Sequence, residues 1–376
     1  MPRPGPRAGL SALALALLLA TGCDRGGAPA PTGEKAPDPN SLSQRFAQAV
    51  ESIRRNQNPE GHWDTPVTLT TVYEGAKPEV NTFTPAILVD LLDPIAEETG
   101  LKASLDRARA YLGRQVEATG LARYHGDPGK VDPSVLGCEL PPDADDTALI
   151  WRIAPPADPE RLRAARGTLE EYRTKAGLYL TWLASQQRYR CFFTRFFPKN
   201  PNPPDVAIQM HVYLLLARHD AAAAGRLCAA LRSRIADERL WVWYAVAPLL
   251  PLWREIDLAR AGCPLKVPES QLKKAVAGQE PYMTLATVLR DLAQGADPRA
   301  SRDVAVRTLE GLAAGGFAQA KKNPPLLYHN ALSAEPPHYH WSDEVGRALW
   351  LRVYVELRRL MEDALPAPAR RPSPPG

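Results

Sequence analysis

The chain has 376 residues, a length that suits two average domains or one large domain. Hydrophobic residues make up 45% of it and charged residues 23%, which excludes a disordered chain, a collagen and a polytopic membrane protein. The 46 basic and 42 acidic residues nearly balance, so the charge pattern does not indicate a nucleic-acid partner.

The N-terminus combines a positive region, which contains Arg3 and Arg7, with an apolar stretch over residues 10–20. Such a stretch is typical of a secretory signal and too short to span a bilayer. Because Cys23 follows directly, the segment resembles a bacterial lipoprotein signal. The resemblance implies a signal peptide over residues 1–22 and palmitate on Cys23, with the lipid bilayer as the partner. A plain cleaved signal with a chance cysteine is the alternative.

Residues 23–40 are rich in proline, glycine and charge, and this composition predicts a tether that holds the folded part off the membrane. The last segment, residues 366–376, has the same character and is predicted to be disordered. The chain is therefore predicted to lie in the cell envelope, on the periplasmic side of a bacterial membrane. Asp24 resembles an inner-membrane retention signal.

Between the tether and the tail, residues 41–365 show apolar residues at three- and four-residue spacing. The pattern has no alternation of strands and helices, so it predicts one all-α domain built from helical hairpins. The predicted helices are Ser41–Asn56, Thr84–Glu98, Leu101–Glu117, Asp143–Ile153, Pro159–Lys175, Asp205–Arg218, Ala221–Asp237, Leu240–Ala261, Glu269–Ala277, Pro281–Gly295, Ala300–Ala313 and Ser342–Asp363.

Two short segments look extended instead. Gly177–Leu183 (GLYLTWL) and Arg190–Phe197 (RCFFTRFF) are rich in aromatic and β-branched residues. We expect them to pair as one short β-hairpin on the rim of the helical domain.

The segment QNPEGHW, from Gln57 to Trp63, follows the first predicted helix. A glutamine there can bond free main-chain groups, Gly61 permits a tight reversal, and the indole covers the joint. The segment resembles the repeat of squalene–hopene and related terpenoid cyclases, which share a superfamily with protein prenyltransferases. This resemblance implies an α/α toroid, two concentric rings of helices around a central cavity. A degraded second copy begins at Gln115.

The segment DADDTA places three carboxylates at the start of a predicted helix, at Asp143, Asp145 and Asp146. It resembles the D-x-D-D-T-A motif of class II terpene cyclases, whose middle aspartate protonates an alkene or epoxide. The resemblance implies that Asp145 is the general acid and that its two neighbours raise its pKa. The alternative is structural, because Asp143 is a suitable N-cap for this helix and acids suit its first turn.

A carbocation in such a cavity requires aromatic faces around it. The residues that we expect to bind an apolar or isoprenoid-like ligand include Trp151 and Trp182, with His125 and His340 as polar groups. Further aromatic candidates are Phe192, Phe193, Trp241, Trp243 and Tyr244.

Three functions stay open at this point. The toroid binds an elongated or apolar ligand without transforming it, or it is an isoprenoid cyclase, or it is a glycan-processing hydrolase or lyase of the kind that helical toroids also host. The sequence contains no Asp-x-Cys pair of the prenyltransferase zinc site, and we expect neither a metal nor a cofactor. Four cysteines besides Cys23 predict at least one disulfide in an exported chain.

Overall fold

The computed structural model describes residues 39–126, 138–198, 202–332 and 336–362. Cys23, the segment interpreted as a signal peptide and the C-terminal tail lie outside these residues, as does the predicted tether apart from its last two residues. Within the described part, no helix is both long enough and apolar enough to cross a membrane.

Helices dominate the described residues. In chain order they are α1 Pro39–Arg55, α2 Phe83–Leu92, α3 Ala96–Thr99, α4 Lys102–Gly113, α5 Ala144–Ile153, α6 Pro159–Glu171, α7 Arg190–Phe196, α8 Val206–His219, α9 Ala221–Arg234, α10 Leu249–Arg260, α11 Glu269–Leu272, α12 Glu280–Ala293, α13 Pro298–Lys322 and α14 Asp343–Glu362. Four short strands accompany them: β1 Thr65–Thr68, β2 Lys77–Glu79, β3 Leu326–Asn330 and β4 His338–Trp341.

The helices form two concentric layers. Helices α2, α5, α8, α10, α12 and α14 each contact the next, and α14 contacts α2, so the inner ring closes. Helices α1, α4, α6, α9 and α13 pack outside it. The inner helices α2 and α8 are apolar almost all round and nearly every residue in them is buried, as expected of helices covered on both sides. The prediction of an all-α toroid is confirmed.

The QNPEGHW segment makes the joint between α1 and α4 as its residue types predict. The amide of Gln57 donates to the carbonyls of Gly61, at 3.0 Å, and Ser104, at 2.8 Å. Trp63 donates from its indole to the carbonyl of Ile53 at 2.9 Å. Gly61 has φ +111°, and a Cβ there would lie 2.5 Å from the carbonyl oxygen of Arg107, so only glycine fits.

The same joint recurs one hairpin later. Gly120 has φ +81°, and a Cβ there would lie 2.2 Å from the carbonyl oxygen of Arg161 on α6. The indole of Trp151 donates to the carbonyl of Gly120 at 2.7 Å. A glycine reversal held by an indole therefore repeats, with the tryptophan supplied from α5 rather than from within the segment.

A small antiparallel sheet in the order β2-β1-β4-β3 joins the beginning of the domain to its end. Val67 pairs with His340 across β1 and β4, and Tyr328 pairs with His340 across β3 and β4. In the chain, β1 and β2 precede α2, and β3 and β4 precede α14. The sheet brings Glu79, Tyr328 and His340 to the rim of the inner ring.

The predicted hairpin of Gly177–Leu183 and Arg190–Phe197 is wrong. Residues 190–196 form α7, and Gly177–Leu183 is irregular apart from isolated bridges at Tyr179 and Trp182. A short apolar run does not distinguish a strand from a helix by periodicity. In α7, Phe192 packs against Trp182, with ring centroids 4.9 Å apart, and the helical turn brings Phe193 beside it.

Two disulfides are present, which confirms that at least one forms. Cys138 pairs with Cys191 and Cys228 with Cys263, with Cα atoms 5.7 Å and 5.8 Å apart. The first ties α7 to the segment that leads into α5. The second joins α9 to the end of α10.

Candidate active site

Helix α5 begins at the DADDTA segment because Asp143 caps it. The Asp143 carboxylate accepts a hydrogen bond from the backbone N–H of Asp146 at 2.7 Å, and its own backbone is extended. The cap sets the direction of the first helical turn. Asp145 therefore faces the interior of the ring, and Asp146 turns toward α2, where it accepts a hydrogen bond from the Thr82 hydroxyl at 2.7 Å.

A cavity of about 180 Å³ lies at this end of the ring, at or before the N-termini of α2, α5, α8 and α10. We call it the acid cavity. Most of the surface of its wall is apolar, and the wall also includes three carboxyl groups at the start of α5 and polar residues of the sheet. The lining residues are Glu79, Phe83, Tyr124, His125, Leu140, Asp143, Asp145, Asp146, Thr181, Trp182, Phe192, Ile208, Trp243, Tyr244, Tyr328, Asn330, His338 and His340.

Asp145 belongs to a chain of hydrogen bonds that leads from the cavity into the ring. Nε of Arg254, on α10, donates to Nε2 of His211 at 2.8 Å. Since Nε2 accepts, the hydrogen of the neutral imidazole is on Nδ1, and Nδ1 donates to Oδ1 of Asp145. His211 and Arg254 are both fully buried, so this tautomer is fixed by the fold.

Burial sets the protonation states of this chain. Burial raises the pKa of Asp145 to about 7, against the opposing effects of Arg254 and a hydrogen bond from Tyr244. Burial, followed by the charges of Arg254 and Arg152, lowers the pKa of His211 well below its usual value. Below about pH 7, Asp145 is therefore mainly a carboxylic acid, and it lies beside a neutral imidazole.

The two neighbouring carboxyl groups are perturbed in the same direction. Burial and the charges of Asp146 and Asp145 raise the pKa of Asp143 well above its usual value. Burial and the charge of Asp145 raise the pKa of Asp146 to about 7. Three buried carboxyl groups so close together cannot all ionise, and a charge on Asp145 favours the protonated forms of Asp143 and Asp146. Burial, rather than these two neighbours as the resemblance implied, raises the pKa of Asp145 itself.

The part of the acid cavity that the sheet supplies is polar. The Tyr124 hydroxyl donates to the Glu79 carboxylate and accepts from the Asn81 amide at 2.8 Å. Nδ1 of His340 lies 3.7 Å from the same carboxylate, and its ring stacks on Tyr328 with centroids 4.2 Å apart. Burial lowers the pKa of His340 to about 4, so this imidazole is neutral.

The predicted site residues fall into two groups. Asp143, Asp145, Asp146, Trp182, His125 and His340 all line the acid cavity, with Phe192, Trp243 and Tyr244. Trp151 does not line it: its indole serves the joint at Gly120 instead. Trp241 donates from its indole to the carbonyl of Ile235 at 2.8 Å, and Phe193 packs on Phe192; neither lines the cavity.

Sequence reasoning missed the residues that support the acid. His211 is a polar residue in a nearly apolar helical stretch, and that is a weak signal. Arg254 has charged neighbours in its own helix, so the sequence carries no such signal for it. Asp205 was missed as well: it caps α8 and accepts hydrogen bonds from the backbone N–H groups of Val242 and Trp243, both at 2.8 Å. It thereby places Trp243 against the cavity.

No protein-family model and no curated protein matches the chain. Among solved structures, the type II terpene cyclase MstE from Scytonema, without ligand, is similar at a TM-score of 0.53 and 16% identity, over 85% of this chain and 99% of that one. A variant of MstE in complex with its substrate, geranylgeranyl dihydroxybenzoate, is similar at a TM-score of 0.51 and 14% identity, over 85% and 98%. The chain has the fold of these cyclases.

Proposed function

We propose that the acid cavity binds an isoprenoid-like chain and that Asp145 protonates it to begin a cyclisation. The observation that carries this proposal is a carboxylic acid of raised pKa in the wall of a largely apolar cavity with many aromatic rings. The likeness to type II terpene cyclases supports it at the level of fold. Glycan processing is less well supported, because most of the surface area of the cavity wall is apolar.

In the proposed step the O–H bond of Asp145 breaks and the proton adds to a carbon of a carbon–carbon double bond. The products are the Asp145 carboxylate and a carbocation on the ligand. The His211 Nδ1–H group and the Tyr244 hydroxyl donate to this carboxylate, so the charge is stabilised as it forms. Trp182, Trp243 and the other aromatic rings offer their faces to the cation.

A cyclisation also requires a group that takes a proton back at its end. His340 is neutral, lines the same cavity and lies beside the Glu79 carboxylate, which stabilises an imidazolium. We assign it this role. The acid then comes from α5 and the acceptor from the sheet, and their environments move their pKa values in opposite directions.

Deuterium incorporation tests the proposal directly. The full chain in detergent is incubated in D2O with squalene-like polyprenes and prenylated aromatic acids, and the products are analysed by mass spectrometry. The acidic proton of Asp145 exchanges with solvent, so each cyclised product should carry one added deuterium. A toroid that only binds returns its ligand with an unchanged mass.

Asp145→Asn is the decisive variant, and Asp158→Asn, at the exposed N-cap of α6, is its matched control. Removing the acid should lower turnover by about 10²–10⁴-fold, and the control should match the wild type. Wild-type activity should fall as pH rises above about 7, because Asp145 then ionises. A labelled product that persists in Asp145→Asn would contradict the assignment.

The cellular address is a second part of the proposal. We propose that Cys23 carries the lipid that anchors the chain to the envelope, as the signal-like N-terminus indicates. In a bacterial host the wild type should partition into the detergent phase and incorporate labelled palmitate. Cys23→Ser should do neither, and a wild type that is recovered unlabelled from the aqueous phase would refute the anchor.

A further inference from the structure

A second cavity, of about 470 Å³, lies at the opposite mouth of the ring, where the inner helices end. We call it the arginine cavity. All six inner helices contribute to it through their C-terminal halves, together with Arg109 from α4. Its charged lining residues are Asp90, Asp93, Arg109, Arg152, Arg218, Asp257, Arg260, Arg352 and Glu356.

Every carboxylate of this lining already has an arginine partner. Asp90 pairs with Arg152 and Arg254, and Asp257 pairs with Arg254 at 2.8 Å. The remaining two pairs are Asp93 with Arg109, and Glu356 with Arg352 at 2.9 Å. These ion pairs therefore neutralise the negative charge that the protein places in the cavity wall.

Positive charge is left over. Within the described residues no ion pair with a carboxylate joins Arg218 or Arg260, and with Arg152 and Asp257 they also line a neighbouring recess. Arg152 is only 9% exposed, and its Nε has no hydrogen-bond partner. Burial lowers the pKa of Arg352 below its usual value despite the attraction of Glu356, and the charge of nearby Arg260 acts in the same direction as burial.

These arginines also donate hydrogen bonds to carbonyl groups at the ends of the inner helices, but those bonds use few of their N–H groups. Arg218 donates to the carbonyl of Arg152 at 2.8 Å, and Arg109 donates to the carbonyl of Ile153 at 3.2 Å. A guanidinium group has five N–H donors, and the carbonyl of Arg152 is the only acceptor that Arg218 contacts within the described residues. Capping alone accounts for neither the unpartnered Nε of Arg152 nor the surplus charge.

We propose that the arginine cavity binds an anion that carries a phosphate or diphosphate group, held by Arg152, Arg218 and Arg260. The planar fork of a guanidinium matches two phosphate oxygens at once, and several forks converge here. The cavity has the size of an ordinary small-molecule site. Free phosphate esters and phospholipid headgroups share this chemistry. The inference does not depend on the proposed cyclisation, because it concerns another cavity and its readout is binding.

Isothermal titration of the full chain in a non-ionic detergent tests the site. Sodium diphosphate and inorganic phosphate are titrated at about 0.15 M ionic strength, where exposed charges are screened beyond about 8 Å. We expect saturable one-site binding of diphosphate. Arg218→Gln/Arg260→Gln should weaken it by at least tenfold, and Arg152→Lys, which keeps the charge and removes the fork, should weaken it as well.

The matched control is Arg302→Gln/Arg307→Gln, which removes the same charge from exposed positions on the outer helix α13. It should bind diphosphate as the wild type does. Equal weakening in the control would overturn the proposal, since the effect would then be net charge alone. Thermal melts without ligand establish that each variant is folded before it is titrated.

Vesicles distinguish the two sources of phosphate. Phosphatidylcholine vesicles with and without phosphatidic acid are compared in a flotation assay with the same variants. Binding to phosphatidic acid alone, lost in Arg218→Gln/Arg260→Gln, would assign the cavity to a lipid headgroup. Diphosphate binding without vesicle binding would assign it to a free ester. Saturable binding in neither arm would overturn the site.

Discussion

The two mouths of the inner ring carry opposite chemistry on the same scaffold. The acid cavity has a largely apolar wall with many aromatic rings, and burial drives Asp145 and Asp146 in it toward their neutral form. The arginine cavity has a polar wall whose carboxylates are paired with arginines, and the guanidinium groups of Arg152 and Arg254 hold the pKa of Asp90 well below its usual range. Burial acts on both sets of carboxyl groups. The difference between them is whether a cation lies within hydrogen-bond distance.

Arg254 separates the two environments. One side of its guanidinium faces Asp90 and Asp257, and its Nε faces His211, which in turn contacts Asp145. The neutral imidazole therefore stands between the arginine and the acid. This spacing lets Asp145 keep its proton, while Asp90, in direct contact with two arginines, loses its own.

The largest expected effect comes from removing that divider. Arg254→Leu leaves the buried carboxylates of Asp90 and Asp257 without this partner and should lower the free energy of unfolding by about 3–5 kcal/mol. Arg239→Leu, which removes an exposed pair with Asp237, is the control and should leave the melting temperature unchanged. Urea denaturation measures both. An equal loss in the two variants would mean that burial does not distinguish the pairs.

At the acid cavity, in contrast, replacing the buried charged group should stabilise the protein, and a pH series should show this. The folded pKa of Asp145 lies at about 7, above its unfolded value near about 3.9, so the wild type loses stability relative to Asp145→Asn as pH rises from about 4 to about 7. The full difference reaches about 4 kcal/mol at about 1.4 kcal/mol per pKa unit.

Asp106→Asn is the control for that series. The side-chain hydrogen bond from Lys102 lowers the pKa of Asp106. The wild type should therefore gain stability relative to Asp106→Asn as pH rises, which is the opposite direction to Asp145→Asn. Thermal melts of the three proteins across this pH range give the comparison. Parallel curves for wild type and Asp145→Asn would contradict the protonated acid.

The disulfides offer a third comparison, because they belong to different mouths. Replacing either pair by serine should cost about 2–4 kcal/mol of unfolding free energy. Only Cys138→Ser/Cys191→Ser should also weaken binding of an apolar probe in the acid cavity, since Cys191 anchors the helix that carries Phe192. Fluorescence titration with a polyene probe measures it. Loss of probe binding in Cys228→Ser/Cys263→Ser as well would show that both bonds act on the whole ring.

The smallest effect concerns the cap of α5. Asp143→Ala should cost about 1 kcal/mol of unfolding free energy, the usual scale for an N-cap, and Asp158→Ala, at the cap of α6, should cost a comparable amount. Chemical denaturation of the two variants gives the values. A much larger loss for Asp143→Ala would mean that its carboxylate supports the acid network beyond its role as a cap.

Local patterns in the sequence determined much of the scaffold. The helical spacing predicted an all-α domain, and the resemblance of QNPEGHW to the terpenoid-cyclase repeat implied that it closes into a toroid. QNPEGHW also predicted its own joint, because glutamine, glycine and tryptophan act there on neighbouring backbone. The start of α5 was readable for the same reason: an N-cap contacts residues two or three positions away. Periodicity was less informative in short runs, which is why α7 was mistaken for a strand.

Only the tertiary structure decided what the site contains. His211 and Asp145 are 66 positions apart in the sequence and meet only in the folded ring. The sheet that carries His340 joins strands from both ends of the domain. Trp151 and Trp182 look alike in sequence, yet one holds a joint and the other lines the acid cavity. Ring closure sets these long-range neighbours. Because pKa values depend on burial and on those neighbours, the protonation states of Asp145 and His211 follow from the tertiary structure and not from local sequence.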